Sequence, residues 1–196
     1  MRRSGGVEKS EIQVRGAAAG DSGRIAQIYA HHVLHGTATY DLDPPGAEDM
    51  RSKVLHFAER GWPFLVAESE GAVVGFAYAA QFRERAAYAF ACENSIYLDP
   101  GWTGRGVGRM LLDELCVRAE HAGFRQMIAV IGGAEPASVA LHEACGFQTV
   151  GCLSAAGWKH GRWLDTVYMQ RALGQGSGTA PESAASGDGG DAAGAR

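Results

Sequence analysis

The chain contains 196 residues, of which 46% are hydrophobic and 20% are charged, and its formal net charge is −4. A chain of this length can bury one full core, so we expect a single domain. The weakly acidic balance gives no indication of nucleic acid or a membrane surface as a partner, and no apolar run is long enough to cross a bilayer.

Both ends of the sequence differ in composition from the rest. Residues 1–10 are polar and contain glycine, and residues 174–196 consist mainly of small and acidic residues without a large apolar side chain. Such segments cannot offset the entropy lost on ordering, so we predict disordered ends around a domain at residues 11–173. Met1-Arg2-Arg3 is not followed by the apolar stretch of a secretory signal, so we expect a cytoplasmic protein.

The first half of the domain predicts a strand, two helices and a hairpin. The strand at Ile12–Arg15 precedes a helix that Asp21 can cap. The buried stripe of this helix follows the helical repeat and contains Ile25, Ile28, Tyr29 and Val33. A second helix is predicted at 47–60, and strands at 64–68 and 73–80 form the hairpin around a Gly71 turn.

The second half continues with a strand at 88–98, in which Glu93, Ser95 and Tyr97 alternate with Cys92, Ile96 and Leu98 on the opposite face. The later elements are a helix from 107 to about 122, an apolar strand at 127–131, a helix at 137–144 ended by Gly146, and strands at 147–153 and 163–170. The apolar strand predicts burial on both faces. The element order indicates an α/β fold with a mixed sheet and helices on both faces.

The cysteine and histidine patterns do not indicate a metal site. Cys92, Cys116, Cys145 and Cys152 have no metal-binding spacing and lie in apolar segments, so we predict reduced core residues. His31 and His35 lie one turn apart on a helix, but no carboxylate accompanies them, and a partly exposed helix end is the better interpretation.

The stretch from Glu93 to Arg109 carries the clearest indication of chemistry. Asp99-Pro100-Gly101 ends a strand, and a helix begins near Val107, so the intervening glycines lie at a helix N-terminus. Helix N-termini have unpaired N–H groups and partial positive charge. Glycines 104, 106 and 108 remove side chains that would hold a phosphate away, and arginines 105 and 109 add charge. The stretch predicts an anion site, and we expect the anion to be a pyrophosphate.

The details of the loop exclude two common pyrophosphate sites. Gly108 is followed by Arg109-Met110, where a P-loop requires Lys and then Ser or Thr. The third glycine of a dinucleotide fingerprint is missing in register. The loop resembles the coenzyme A pyrophosphate loop of the GNAT acyltransferases, Arg/Gln-x-x-Gly-x-Gly/Ala, through Gly106 and Gly108, although Thr103 stands in place of Arg or Gln. A glycine-rich turn with solvated arginines is the alternative.

Four further segments narrow the resemblance. The segments at 82–88, 93–98, 142–147 and 155–163 are similar to phosphinothricin N-acetyltransferases, a family that includes methionine sulfoximine acetylators. The similarity runs from about residue 12 to 171. It implies a GNAT fold, in which the central mixed sheet is mostly antiparallel. It also implies transfer of acetyl from acetyl-CoA to the α-amino group of a glutamate-like amino acid, by direct attack of the amine on the thioester.

The resemblance assigns the catalytic roles to two residues. Glu93 matches the general base, and small or apolar neighbours would raise its pKa by partial burial. The alternative is a structural ion pair with an arginine such as Arg85. His142 matches the residue that assists the leaving thiolate, and a histidine can donate a proton near neutral pH. The alternative is a space-filling histidine beside Cys145 and Phe147.

The resemblance also implies binding residues for cofactor and acceptor. The pantetheine arm would lie along Ile96, Tyr97 and Leu98, and the pyrophosphate would bind at Gly104, Arg105, Gly106, Val107, Gly108 and Arg109. Glu135 replaces an asparagine that usually binds the cofactor, and Ser138 offers a hydroxyl instead. Acceptor recognition would involve Thr37, Arg83, Arg85 and Lys159, because an arginine fork matches a carboxylate. Lys159 and His160 could instead contribute to a dimer contact, since family members are commonly homodimers.

The sequence leaves two other functions open. The same fold could acetylate another small amine, with residues 37–43 and the two arginines serving a different ligand. Alternatively, the chain could be a non-catalytic acyl-CoA-binding module, for which the departures at Thr103 and Glu135 argue weakly and the presence of both Glu93 and His142 argues against.

Overall fold

The computed structural model describes residues 11–181, and within them seven strands form one sheet. The strands are β1 (Ile12–Gly16), β2 (Phe64–Ser69), β3 (Ala72–Gln81), β4 (Ala91–Leu98), β5 (Gln126–Gly132), β6 (Gln148–Lys159) and β7 (Arg162–Ala172). Their spatial order is β1-β2-β3-β4-β5-β7-β6, and every neighbouring pair is antiparallel except β4 and β5. The predicted mixed, mostly antiparallel sheet is therefore confirmed.

Four α-helices of the described part cover the two faces of the sheet. They are α1 (Ser22–His35), α2 (Ala47–Arg60), α3 (Val107–His121) and α4 (Pro136–Ala144). Helices α1 and α2 place their apolar stripes on one face, around Val66 and Phe76. Helices α3 and α4 pack on the opposite face, around Met127 and Met169. Each helix buries its apolar stripe against the sheet, which gives one core on each side.

The parallel pair β4–β5 has the feature that matters most for function. Its paired residues end at Asn94 and Ala129, although β4 continues to Leu98 and β5 to Gly132. Beyond the last pair, β4 stays paired with β3 and β5 stays paired with β7. The two strands therefore separate, and the sheet is open between them.

The opening explains why β5 is less buried than its sequence predicts. Met127, Ala129 and Ile131 are buried, but Ile128 and Val130 on the other face are only half-buried. The prediction of burial on both faces is wrong for that second face, because Val130 borders the opening rather than a helix.

Several predicted boundaries also change. Strand β4 begins at Ala91 rather than at Tyr88, because Tyr88 and Ala89 donate their backbone N–H groups to a tight turn of residues 86–88. Strand β6 extends to Lys159 through two irregularities in its register. As an edge strand, β6 leaves Cys152 exposed, so the prediction that all four cysteines are core residues is wrong for this one.

Asp21 has a different role from the predicted helix cap. Its carboxylate accepts a hydrogen bond from the Ala18 N–H at 2.8 Å and forms an ion pair with Arg15, also at 2.8 Å. This arrangement closes the short turn before α1 and lowers the pKa of the Asp21 carboxyl, with Arg15 as the largest cause. The carboxylate makes no cap bond to α1 itself.

The described chain extends past the predicted end of the domain. Residues 174–181 form turns, and Arg125 donates a hydrogen bond to Thr179 Oγ1 at 3.1 Å. The rest of the predicted tail, 182–196, and the predicted disordered start, 1–10, lie outside the described residues. No helix among residues 11–181 has the length and apolar character needed to cross a membrane.

Candidate active site

Two adjoining cavities occupy the opening between β4 and β5. The first has a volume of about 230 Å³ and is lined by residues 93–97 of β4, residues 129–132 of β5 and aromatic residues of the opposite wall. We call it the acceptor cavity. The second has a volume of about 510 Å³ and runs from Leu98 past residues 103–109, which we call the glycine loop, to α4. We call this second cavity the cofactor groove.

Glu93 lies in the acceptor cavity with its side chain about one-third exposed. Burial raises the pKa of the Glu93 carboxyl above its ordinary value, and the Arg83 guanidinium, 3.8 Å away, opposes that shift. The arginine beside Glu93 is therefore Arg83 and not Arg85, the partner suggested by the sequence. A carboxyl group with a raised pKa in a cavity is suited to accept a proton.

His142 lies on the opposite side of the sheet opening and is 2% exposed. Its Nε2 is 3.1 Å from Asn94 Oδ1, and its Nδ1 is 2.7 Å from the Ser138 carbonyl oxygen. Burial lowers the pKa of the His142 imidazole, and the contact with the Ser138 carbonyl opposes that shift. The ring also packs edge-on against Phe147, as the space-filling alternative expected. Both ring nitrogens are thus engaged within the protein.

Asn94 is a buried polar residue that the sequence reasoning missed. It follows Glu93 in β4, so its side chain points to the other face of the sheet, where the Asn94 amide donates to the Ile128 carbonyl at 3.4 Å. The sequence offered one indication of its importance, because Asn94 occupies the apolar face of the strand with Cys92 and Ile96.

The glycine loop forms one wall of the cofactor groove. Gly104 and Gly106 have positive φ angles of 71° and 84°, and a Cβ at either position would meet no atom within 4 Å. Helix α3 starts at Val107, and its first intrahelical bond runs from Met110 N–H to Gly106 C=O. The preceding N–H groups have no partner within the helix. An open glycine loop followed by free N–H groups fits a pyrophosphate.

The predicted cofactor residues differ in how they take part in the groove. Ile96, Tyr97, Leu98, Gly104, Gly106, Gly108, Arg109, Glu135 and Ser138 line it. The Val107 side chain is fully buried, so only its backbone can contribute. The Arg105 guanidinium lies over the Trp102 ring at 5.0 Å and is not among the lining groups.

The two departures from the family pattern have local structural roles. The Glu135 carboxylate caps α4 by accepting a hydrogen bond from Ser138 N–H at 2.8 Å. Thr103 Oγ1 donates to the Pro100 carbonyl at 3.1 Å, which fastens the turn before the glycine loop. Both residues line the groove from these fixed positions.

His32 is a second residue that the sequence reasoning missed. It lines the cofactor groove, and its Nε2 is 2.7 Å from the Leu98 carbonyl oxygen. Burial is the largest cause of the lowered pKa of His32. His32 lies on the buried stripe of α1, at helical spacing from Ile25 and Ile28, and this spacing could have singled it out from its histidine neighbours.

Aromatic and hydroxyl side chains line the far wall of the acceptor cavity: Tyr29, Thr39, Tyr40 and Tyr78. Lys53 on α2 donates a hydrogen bond to the Tyr78 hydroxyl at 2.7 Å, so a cation stands directly behind this wall. No sequence pattern singled out Lys53 or Tyr78, which the packing of α2 on β3 brings together.

Of the four residues predicted to bind the acceptor, none lines the acceptor cavity itself. Arg83 reaches its edge through Glu93. Arg85 is exposed and lines a separate surface depression with Arg83. Lys159 is 3% exposed and donates to the Thr39 carbonyl at 2.8 Å. Thr37 lies against Gly132 and Gly133, where an added Cβ would overlap it.

A strap over the cavity, defined as residues 36–41, accounts for the positions of Thr37 and Lys159. His160 Nε2 is 3.1 Å from the Gly36 carbonyl, and the Tyr40 hydroxyl is 2.5 Å from Thr166 Oγ1. Tyr29 binds the strap from the other side through Asp41, at 2.7 Å. Lys159 and His160 therefore hold the strap in place, and the strap presents Thr39 and Tyr40 to the cavity.

Among residues 11–181, no group of three or more His, Cys, Asp and Glu side chains is arranged to hold a metal ion. The ring centroids of His31 and His35 are 5.0 Å apart, and this pair is not part of any such group. The four cysteines carry free thiols, and burial raises the pKa of the fully buried Cys92.

Comparison with known proteins identifies the family of this chain. The sequence matches the Acetyltransferase (GNAT) family over residues 29–147. It is 46% identical to a phosphinothricin N-acetyltransferase of Alcaligenes faecalis, with 90% of this chain and 91% of the relative covered. It is 33% identical to an L-methionine sulfoximine/L-methionine sulfone acetyltransferase of Salmonella typhimurium, with coverages of 83% and 95%.

A solved structure shows the same fold. A GNAT superfamily phosphinothricin acetyltransferase from Sinorhizobium meliloti, in complex with AcCoA, has a TM-score of 0.85 to this chain. The two are 51% identical, and the match covers 87% of this chain and 92% of the other.

The chain therefore belongs to the GNAT family of acetyltransferases. Within the family it is an acyltransferase of the phosphinothricin N-acetyltransferase-like type.

Proposed function

We propose that this protein transfers the acetyl group of acetyl-CoA to the α-amino group of a glutamate-like amino acid, of the phosphinothricin or methionine sulfoximine type. The observation that carries the proposal is the position of Glu93. Its carboxyl lies in a cavity that adjoins the groove at the glycine loop, so a base for the amine adjoins the cofactor groove. The names of the relatives support the choice of substrate class.

Glu93 acts as the general base in this proposal. An ammonium group has no lone pair, so it must lose a proton before it can attack a thioester. Partial burial raises the pKa of the Glu93 carboxyl towards the range in which it accepts such a proton, and the Arg83 guanidinium opposes this rise. The amine then attacks directly. The complete burial of Cys92, the cysteine next to Glu93, supports a route without a covalent enzyme intermediate.

The acetyl donor would be held by the backbone and side chains of the groove. The free N–H groups at the start of α3 and the glycine loop would bind the pyrophosphate, with Arg109 at the edge. The edge of β4 from Ser95 to Leu98, which has no partner on its β5 side, would bind the pantetheine arm. Coenzyme A brings an activated thioester, and the residues described here position it.

Arg83 is the best placed cation for an acidic group of the acceptor. Its side chain is half-exposed, and one of its N–H groups donates to the Phe82 carbonyl at 2.8 Å. A guanidinium has five N–H donors, so most of its fork is free to bind a carboxylate or phosphinate. Lys53, behind Tyr78, adds positive charge on the opposite wall. Thr37, Lys159 and His160 would act indirectly, by holding the strap.

The test is turnover by the full-length protein with acetyl-CoA and a panel of amino acids and simple amines, followed as thiol release. The proposal expects the highest rate with phosphinothricin or methionine sulfoximine. Turnover confined to amines that are not amino acids would show that the acceptor is another small amine and not a glutamate-like amino acid. Binding of acetyl-CoA without turnover of any amine would leave only a non-catalytic acyl-CoA-binding module.

We also propose that the protein forms a homodimer and works in the cytoplasm. Exposed apolar side chains on the β6–β7 hairpin, among them Trp158 and Trp163, support a protein partner on this surface. The four free thiols support a reducing compartment.

A further inference from the structure

The junction between the two cavities determines which side chains can reach the thioester. Of the described residues, Ala38, Ile96, Tyr97 and Ser138 line both the acceptor cavity and the cofactor groove. The reacting carbon must lie at this junction, because the amine is deprotonated by Glu93 in one cavity and the cofactor occupies the other. This step rests on the proposed function.

Tyr97 and Ser138 are the members of this set that carry a hydroxyl group. Tyr97 is 8% exposed, and its ring packs against Tyr29 at 4.8 Å and Phe76 at 5.3 Å in the core beneath α1 and α2. Its hydroxyl is directed towards that side of the sheet, near Tyr29. Ser138 lies in the first turn of α4 and is half-buried, so its hydroxyl is available at the junction.

His142 is less suited to contact the leaving sulfur directly. It is 2% exposed, and its two ring nitrogens contact Asn94 Oδ1 and the Ser138 carbonyl. A direct proton transfer from the ring would have to break one of these buried contacts, which is costly. Ser138 Oγ, in contrast, lies 3.5 Å from His142 Nδ1, and Ser138 lines both cavities.

We propose that the Ser138 hydroxyl donates the hydrogen bond that stabilises the departing coenzyme A sulfur, and that His142 and Asn94 are positioning residues that act through Ser138. When the bond between the acyl carbon and sulfur breaks, its electron pair stays on sulfur. A thiol with a pKa near that of cysteine, about 8.5, can leave as the thiolate, so a hydrogen bond suffices and the proton is taken from solvent after release. Glu93 receives the proton that the ammonium group loses before attack and passes it to solvent, and it then receives the second proton that the nitrogen loses as the amide forms.

The surrounding contacts fix Ser138 for this task. Its N–H donates to the Glu135 carboxylate at 2.8 Å, and its carbonyl is close to His142 Nδ1. An N–H at Nδ1 pointing to the Ser138 oxygens leaves the hydroxyl hydrogen free to face the junction. Asn94 Oδ1 can accept a hydrogen bond from a protonated Nε2 while the Asn94 Nδ2 group donates to the Ile128 carbonyl, so the amide holds the ring from the other side.

The kinetic test is a double-mutant cycle in the full-length enzyme. We expect Ser138→Ala to lower kcat on the order of 100-fold, with the KM for acetyl-CoA within a few-fold of wild type, and Ser138→Thr to restore most of kcat. His142→Ala should lower kcat in the wild-type background and add little in the Ser138→Ala background. A full additional loss in the double variant would show that His142 acts on the sulfur directly and would overturn the proposal.

A second measurement does not depend on turnover. The pKa of the thiol of bound coenzyme A can be followed by thiolate absorbance, and a hydrogen bond to sulfur lowers it. We expect Ser138→Ala to raise this pKa relative to wild type, and the control Ser52→Ala to leave it unchanged, because Ser52 is exposed on α2 and lines neither cavity. An unchanged thiol pKa in Ser138→Ala would refute the role of Ser138, even if no acceptor amine were found.

Discussion

The carboxyl group of Glu93 is subject to two opposing influences. Burial in the acceptor cavity raises its pKa, and Arg83 at 3.8 Å lowers it. The other titratable groups that line the same cavity are four tyrosines and a histidine: Tyr29, Tyr40, Tyr78, Tyr97 and His142. Arg83 is thus the charged neighbour whose removal should change the ionisation of the base most directly.

Arg83→Gln should therefore move the acidic limb of the pH profile of kcat/KM to higher pH. A base works in its ionised form, and without the cation the pKa of Glu93 rises further, so a higher pH is needed to ionise it. The measurement is kcat/KM for the acceptor across the acidic range. Arg85→Gln is the matched control, because Arg85 forms no ion pair with Glu93, and an equal shift in both variants would contradict the assignment.

Glu93→Gln should lower turnover at neutral pH by roughly 100-fold or more, because the amide cannot accept the proton of the ammonium. Turnover should recover partly as the pH rises and free amine accumulates. Steady-state rates from neutral to alkaline pH, with acetyl-CoA affinity as the check on folding, test this expectation. An unchanged rate at neutral pH would remove Glu93 as the base.

At the scale of secondary structure, the separation of β4 and β5 is what creates the site. Glu93 and Asn94 are adjacent in β4 and face opposite sides of the sheet, so Glu93 points to the side of α1 and α2 and Asn94 to the side of α4. In a continuous sheet, side chains on these two sides could not line the same cavity. The opening beyond Asn94 lets residues of both faces, Glu93 and His142, line one cavity.

The strap at residues 36–41 depends on a glycine in the neighbouring edge strand. A Cβ at Gly157 of β6 would overlap the ring of Tyr40, which lines the acceptor cavity. Gly157 lies at one of the two irregularities in the register of β6. The bare backbone at this position lets the Tyr40 ring pack against the strand.

Gly157→Ala should displace Tyr40, raise the KM for the acceptor several-fold and lower the free energy of unfolding by about 1–3 kcal/mol, as overpacking does. The control is Gly151→Ala on the same strand, where a Cβ would meet no atom within 4 Å. Acceptor kinetics and denaturant unfolding of both variants provide the comparison. Equal effects of the two substitutions would contradict the proposed contact.

At the scale of the whole molecule, one apolar surface has no cover within the described chain. Trp158 and Trp163 are 57% and 63% exposed and lie edge to face at 5.2 Å on the β6–β7 hairpin. Leu153 and Val150 of the same edge strand are also exposed. Tryptophan is enriched at protein interfaces, and a second copy of the chain is the partner that we propose.

Replacing both Trp158 and Trp163 by glutamine should convert the dimer to a monomer at micromolar concentration, because the apolar area that they bury in the interface would be lost. Sedimentation equilibrium of the wild type and the variant is the measurement. Leu42→Gln, which changes an equally exposed apolar residue elsewhere, should leave the dimer intact. A monomeric wild-type protein would refute the proposed dimer.

Much of the fold followed from local pattern. Helix α2 was predicted with its observed bounds, and the glycine loop was placed correctly at the start of α3, because helical periodicity and glycine chemistry are local properties. The bounds of β4 and β6 were less accurate. Strand ends depend on which partner strand is present, and that information is distant in sequence.

The sequence by itself determined the family pattern, the order of the elements and the two candidate catalytic residues, since these depend on residue identity and spacing. Only the tertiary structure placed Lys159 under the strap, Arg83 beside Glu93 and Asn94 against His142. These contacts join residues from 10 to 120 positions apart, and no local periodicity encodes such pairs. They arise because the sheet opens between two parallel strands and brings its two faces together at one site.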